Sequence, residues 1–191
     1  MADFPEVLVF WFGSPDSPEL GRPRKCWFEK NAAFDAEVRS RFLALYERAV
    51  SGDLDAWQCT PLSALALAVV LDQFPRNMFR GDARAFASDA LALRVARGIV
   101  GLGFDAVLRP VERWFAYLPF EHAEDIAVQR RSLALFGGLA QDRESAGTLD
   151  YALRHCEIIA RFGRFPHRNA ILGRESTSEE IEFLKQPGSS F

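Results

Sequence analysis

Apolar residues recur at three- and four-residue steps through most of this chain, and strict alternation is scarce. That period excludes a sheet as the main architecture, because residues two apart share a strand face whereas residues three and four apart share a helix face. Phe34, Val38, Phe42, Leu45, Tyr46 and Ala49 carry the stepping, Glu37, Arg39, Arg41, Glu47 and Arg48 fill the opposite side, and Gly52 is the stop. Thr60-Pro61 offers an N-cap and a proline at the first helical position for Leu62 to Leu71, a segment apolar on nearly every side and so expected at the centre of the core. Residues 83–101 predict a further helix whose end is loosened by Gly98, Gly101 and Gly103. Pro110 opens a short helix through Tyr117, and Pro119 a longer one from about Glu121 to Leu139. Thr148 is expected to cap a helix closed by Gly163, and Thr177-Ser-Glu-Glu180 is a capping box ahead of Ile181, Phe183 and Leu184. The breaker-rich stretch Ser14 to Arg24 reads as an irregular loop, pinned by Trp11, Phe12, Trp27 and Phe28 on its flanks.

Helices joined by short connections predict an all-α array of helical hairpins, a single domain over residues 1–191. About half of the residues are apolar and 17 are Phe, enough for a large aromatic core without a metal or disulfide staple. A net charge of −3 with interspersed signs argues against nucleic-acid binding. Cys26, Cys59 and Cys156 are odd in number and far apart, which indicates neither a disulfide framework nor a zinc site. No apolar run reaches the roughly 18 residues that span a bilayer, and Met1-Ala-Asp-Phe-Pro5 lacks the basic start of a signal peptide, so the expected location is the cytoplasm. Gly-rich phosphate loops are absent, so no cofactor is signalled.

Polar residues on inward stripes give the functional clue. His122, Ile126, Gln129, Leu133 and Phe136 step by four and three along one predicted helix; Leu62, Leu65, Val69 and Asp72 do so on another, and Tyr151, His155, Ile158 and Phe162 on a third. A buried polar side chain left unpaired costs about 1–3 kcal/mol, so each needs a partner in the fold or a ligand. In most proteins such a residue braces a loop or caps a helix. Glu121, His122, Glu124 and Asp125 lack the spacing of a helical metal site, and no metal is expected; Glu124 and Asp125 read as first-turn acids that complement a helix dipole.

Arg161-Phe-Gly-Arg-Phe-Pro-His-Arg-Asn-Ala-Ile-Leu-Gly-Arg174 packs four arginines, a histidine and an asparagine between two helices. Planar guanidinium groups suit a carboxylate or phosphate. Asp72-Gln-Phe-Pro-Arg-Asn77 echoes the Phe-Pro step, and the two are expected to be turns of one site. Together with Val7-Leu-Val-Phe-Trp-Phe-Gly13, Trp27-Phe28, Leu71 to Gly81 and Tyr117 to Asp125, these motifs resemble, end to end, those of the bacterial family called domain of unknown function 924. The resemblance implies a tetratricopeptide-like helical superhelix and no established activity. Its polar motif positions fall on Asp72, Gln73, Arg76, Asn77, Arg80, Glu121, His122, Glu124, Asp125, Gln129, Arg164, His167, Arg168 and Asn169.

The function expected from these residues is binding of a small anionic ligand or a peptide carboxylate by Asp72, Arg76, Asn77, Glu121, His122, Arg164, His167, Arg168 and Asn169. An enzyme is the alternative, with His167 or His122 as general acid or base and Glu121 or Asp72 orienting it. A protein-interaction scaffold built from helical grooves is the third reading.

Overall fold

The computed structural model describes residues 2–190, and among them there is no strand. Eight helices run through the described residues: α1 Phe4–Phe12, α2 Ala32–Ser51, α3 Pro61–Met78, α4 Asp89–Gly101, α5 Pro110–Glu121, α6 Ile126–Gly137, α7 Thr148–Phe162 and α8 Ser178–Leu184. Short 3-10 turns at Lys25–Trp27, Asp55–Cys59, Ala83–Phe86, Phe104–Val107 and Pro166–Arg168 lie between them. Helices α2 to α7 pack consecutively, and α3 also packs on α1 and α5. That makes α3 the hub, with Leu65, Ala66, Ala68, Val69, Val70 and Phe74 fully buried.

Side chains close the helix ends as their chemistry requires. Asn31 accepts from the N–H groups of Ala33 and Phe34, Asp125 from those of Ala127 and Val128, and Thr177 and Glu180 form the expected capping box. Trp11 anchors the first layer, its ring 5.5 Å from Phe115, 5.6 Å from Phe74 and 6.1 Å from Trp27. Trp27 Nε1 and Arg24 Nη1 donate to the Trp11 carbonyl at 2.9 and 2.7 Å, and that ties the irregular loop to the end of α1. Phe28, expected to help, is 65% exposed.

Several boundaries differ from expectation, each for a local reason. Asp72 to Asn77 is no turn: Pro75 lies inside α3. A proline there leaves the Leu71 carbonyl without its helical donor, and the Ser88 hydroxyl supplies one at 2.6 Å. The segment 83–101 is divided into a 3-10 turn, capped by Asp82 on the Arg84 N–H, and α4, with Ser88 outside helical geometry at the break between them. Pro119 is likewise carried within α5, which runs on to Glu121, and α6 starts only after the Asp125 cap. His122 and Gln129 therefore belong to different elements. Leu62 and Tyr151, placed on inward stripes, are 46% and 58% exposed, each lying in the first turn of its helix. Gly147 rather than Thr148 is the N-cap of α7, with its φ of +92° in the left-handed region that favours glycine.

Candidate functional site

The chain has three histidines, and the fold brings all of them to one buried polar cluster between α3, α4, the end of α5, α7 and the Pro166–Arg168 turn. Asp72 is its centre. Its carboxylate receives His122 Nδ1 at 2.8 Å and Gln73 Nε2 at 2.6 Å, and Arg76 Nη1 lies 3.5 Å away. Arg76 also grips Asp89 with both terminal nitrogens at 3.0 and 3.1 Å, and Arg168 Nη1 reaches the same carboxylate at 3.1 Å. His122, Asp72, Arg76, Asp89 and Arg168 thus form one continuous chain of contacts. Behind it, His155 Nδ1 lies 2.8 Å from the Tyr151 carbonyl and 3.2 Å from Glu121 Oε1, its ring 6.3 Å from that of His122.

Burial and neighbouring charge drive the acids apart. Burial alone would raise Asp72, but Arg76 and His122 overcome it and hold the carboxyl far below its ordinary range. Glu121 is equally buried without a compensating cation; burial, reinforced by the Asp72 charge, pushes it up to about 8. Burial takes His155 down to about 3 and His167 to about 4, and burial with the Arg76 charge also lowers His122. At neutral pH the cluster therefore holds an ionised Asp72, a protonated Glu121 and neutral imidazoles. This fixes the tautomer of His122: Nδ1 carries the proton and donates to Asp72, which leaves the Nε2 lone pair for other chemistry. His155 Nδ1 must also carry a proton to face the Tyr151 carbonyl.

Gln129 is fully buried and donates from Nε2 to the carbonyls of Glu121 and Ala123 at 2.6 and 2.8 Å, which fixes the turn that presents His122. The solvent side of the cluster consists of Arg76, Asp89, His122 and His167, all partly exposed.

Other predicted site residues stand elsewhere. Asn77 donates to Asp35 at 2.7 Å beside a two-point Arg80–Asp35 contact, so it joins α3 to α2 rather than entering the cluster. Arg164 is paired through two nitrogens with Glu180, at 2.7 and 2.8 Å. Asn169 accepts from Arg174 Nε at 3.0 Å and donates to Ser176. Glu124 does not serve a helix dipole: it takes two bonds from Arg174, at 2.6 and 3.0 Å, and one from the Phe165 N–H at 2.8 Å. Asp125 stands ahead of α6 as its N-cap and not within its first turn, because the helix starts at Ile126 instead of near Glu121.

Asp89, His155, Phe86 and Phe165 belong to the site although sequence reasoning left them outside it. His155 had the signal of an inward phase. Asp89 gave no such signal, since the helix expected over residues 83–101 places it mid-helix and only the structure puts it in the first turn of α4. A separate cleft of about 410 Å³ between Pro18 and Cys26 includes no cluster residue; its Arg24 is spent on main-chain carbonyls, and burial keeps the Cys26 thiol protonated by pushing it up.

The model of a family described as bacterial protein of unknown function, number 924, matches residues 7–188. A solved protein of unknown function from Agrobacterium tumefaciens is 41% identical, with a TM-score of 0.84; the match covers 96% of this chain and 97% of that one. No curated protein matches the chain.

Proposed function

The chain belongs to the bacterial family of unknown function 924, and from its own geometry we propose that it is an acid–base enzyme acting on a small polar molecule. The observation that carries this reading is the contact between His122 Nδ1 and Asp72 at 2.8 Å, next to the buried Glu121 carboxyl that burial and the Asp72 charge push up to about 8. Two carboxyl groups pushed in opposite directions by their surroundings are the arrangement by which one site holds both a base and an acid. His122 Nε2 is the base. Asp72 is a positioning residue that fixes the tautomer and steadies the imidazolium once a proton has been taken up. Glu121 and His155 lie behind it as a second carboxyl–imidazole pair.

Anion binding by the whole basic loop is less well supported, since Arg164 and Arg174 are each committed to a carboxylate of the chain. The test is turnover. Purified protein incubated with pooled small metabolites should consume at least one of them, monitored by mass spectrometry, and His122→Gln should slow that consumption by about 100-fold or more. Identical mass profiles for the wild type and His122→Gln would overturn the reading.

A further inference from the structure

We propose that Arg168 is the recognition group for a small monocarboxylate, which binds the guanidinium edge carrying Nε. The inference deepens the acid–base reading by naming the substrate class; it rests on that reading for the chemistry after binding and not for the binding itself.

Arg168 is built to be held still. It is 6% exposed, with Cζ 4.6 Å from the Phe86 ring centroid and 4.5 Å from that of Phe165. Asp89 takes Nη1 at 3.1 Å. Nε is buried and meets no acceptor among the described residues. Native folds rarely leave a buried donor without a partner, and when they do a ligand is one explanation of the remainder. Nε and Nη2 form the fork that matches the two oxygens of a carboxylate. Among the loop arginines, Arg164 and Arg174 donate from Nε to Glu180 and Asn169, so the contrast lies within one segment.

Charge narrows the ligand class. Arg76 and Arg168 face Asp72 and Asp89, so the fixed charges of the cluster cancel. A phosphate dianion would need both partly exposed neutral imidazoles, His122 and His167, to take up a proton, whereas a carboxylate needs only one of them to do so. Burial and the Arg76 charge bring Arg168 down to about 10, so it keeps its proton at neutral pH.

The side-chain Nε–H NMR resonance of Arg168, assigned by its absence in Arg168→Lys, reads the site directly. Acetate and benzoate should shift it saturably, inorganic phosphate more weakly and methylammonium not at all. Arg168→Lys keeps the charge but loses the fork, and should weaken carboxylate binding about tenfold, measured by calorimetry. Asp89→Asn removes the internal competitor and should strengthen it. An Arg168 resonance unmoved by both carboxylates, or phosphate bound more tightly than acetate, overturns the proposal. Because Asp89 also holds Arg76, Asp89→Asn is compared with Asp89→Asn/Arg76→Lys should Arg168→Lys not fold: acetate binding tightened in both supports the assignment, and tightening that is absent or lost with Arg76→Lys refutes it. Saturable carboxylate binding by a protein that turns nothing over would keep this inference and sink the acid–base reading; turnover without carboxylate binding would do the reverse.

Discussion

One segment, residues 161–180, feeds two polar networks that differ in how completely their groups are satisfied. In the outer network, Arg164–Glu180 and Arg174–Glu124 are two-point pairs, Glu124 also receives the Phe165 N–H, and Asn169 links Arg174 to Ser176. In the inner network, Arg168 Nε and Gln129 Oε1 are buried without acceptor or donor among the described residues, and Glu121 retains a proton. The outer network is what a loop brace requires. Incomplete satisfaction in the inner one costs stability, and such a cost is characteristic of sites kept for function.

The largest expected effect tests the brace. Glu124→Ala removes three hydrogen bonds at once and strands Arg174 and the Phe165 N–H, so stability measured in urea should fall by about 2–3 kcal/mol. A loss below about 0.5 kcal/mol would erase the contrast between the networks.

The next prediction concerns pH. Unfolded Glu121 ionises near 4.5, whereas the folded carboxyl keeps its proton to about 8. The folded state thus binds the extra proton, and stability falls as pH rises through that window. His155 and His167, lowered to about 3 and 4 from 6.5, act in the opposite sense, but only below about 6.5, where the unfolded imidazoles are charged. Between about pH 6.5 and 8 the Glu121 contribution therefore stands clear of theirs. Wild-type stability should decline across that interval by on the order of 2 kcal/mol, and Glu121→Gln, which cannot ionise, should flatten the decline. A parallel decline in both proteins would place the titration elsewhere.

Smaller changes in stability are expected from the imidazoles at the solvent side. His122→Gln should cost about 1 kcal/mol, since the amide can still donate to Asp72, even as turnover drops by about 100-fold or more. His167→Ala should lower stability by less than about 1 kcal/mol. Global unfolding of His167→Ala would move this histidine from the inner network to the brace.

Most helices were legible because burying an apolar face requires a period of 3.6 residues, and caps such as Thr60 and the Thr177–Glu180 box act within a few residues of where they stand. The prolines misled. Pro75 and Pro119 both read as helix openings or turns, yet both lie inside helices, and for Pro75 the donor that makes this tolerable comes from Ser88, 17 residues from the carbonyl it satisfies. No local pattern contains that contact.

The polar site divides in the same way. From the sequence alone came the residue types, the inward phase of Asp72 and His155, the basic loop and the all-helical class. Only the tertiary structure decided which arginine faces which acid: Arg164 went to Glu180, Arg174 to Glu124, Arg76 and Arg168 to Asp89, and Asn77 to Asp35. Guanidinium and carboxylate groups are chemically equivalent along the chain, and their pairing is set by distances between elements far apart in sequence. The opposite protonation of Asp72 and Glu121 draws on both: burial raises each carboxyl, Arg76 four residues along the same helix lowers Asp72, and only the fold adds His122 to Asp72 while leaving Glu121 without a cation.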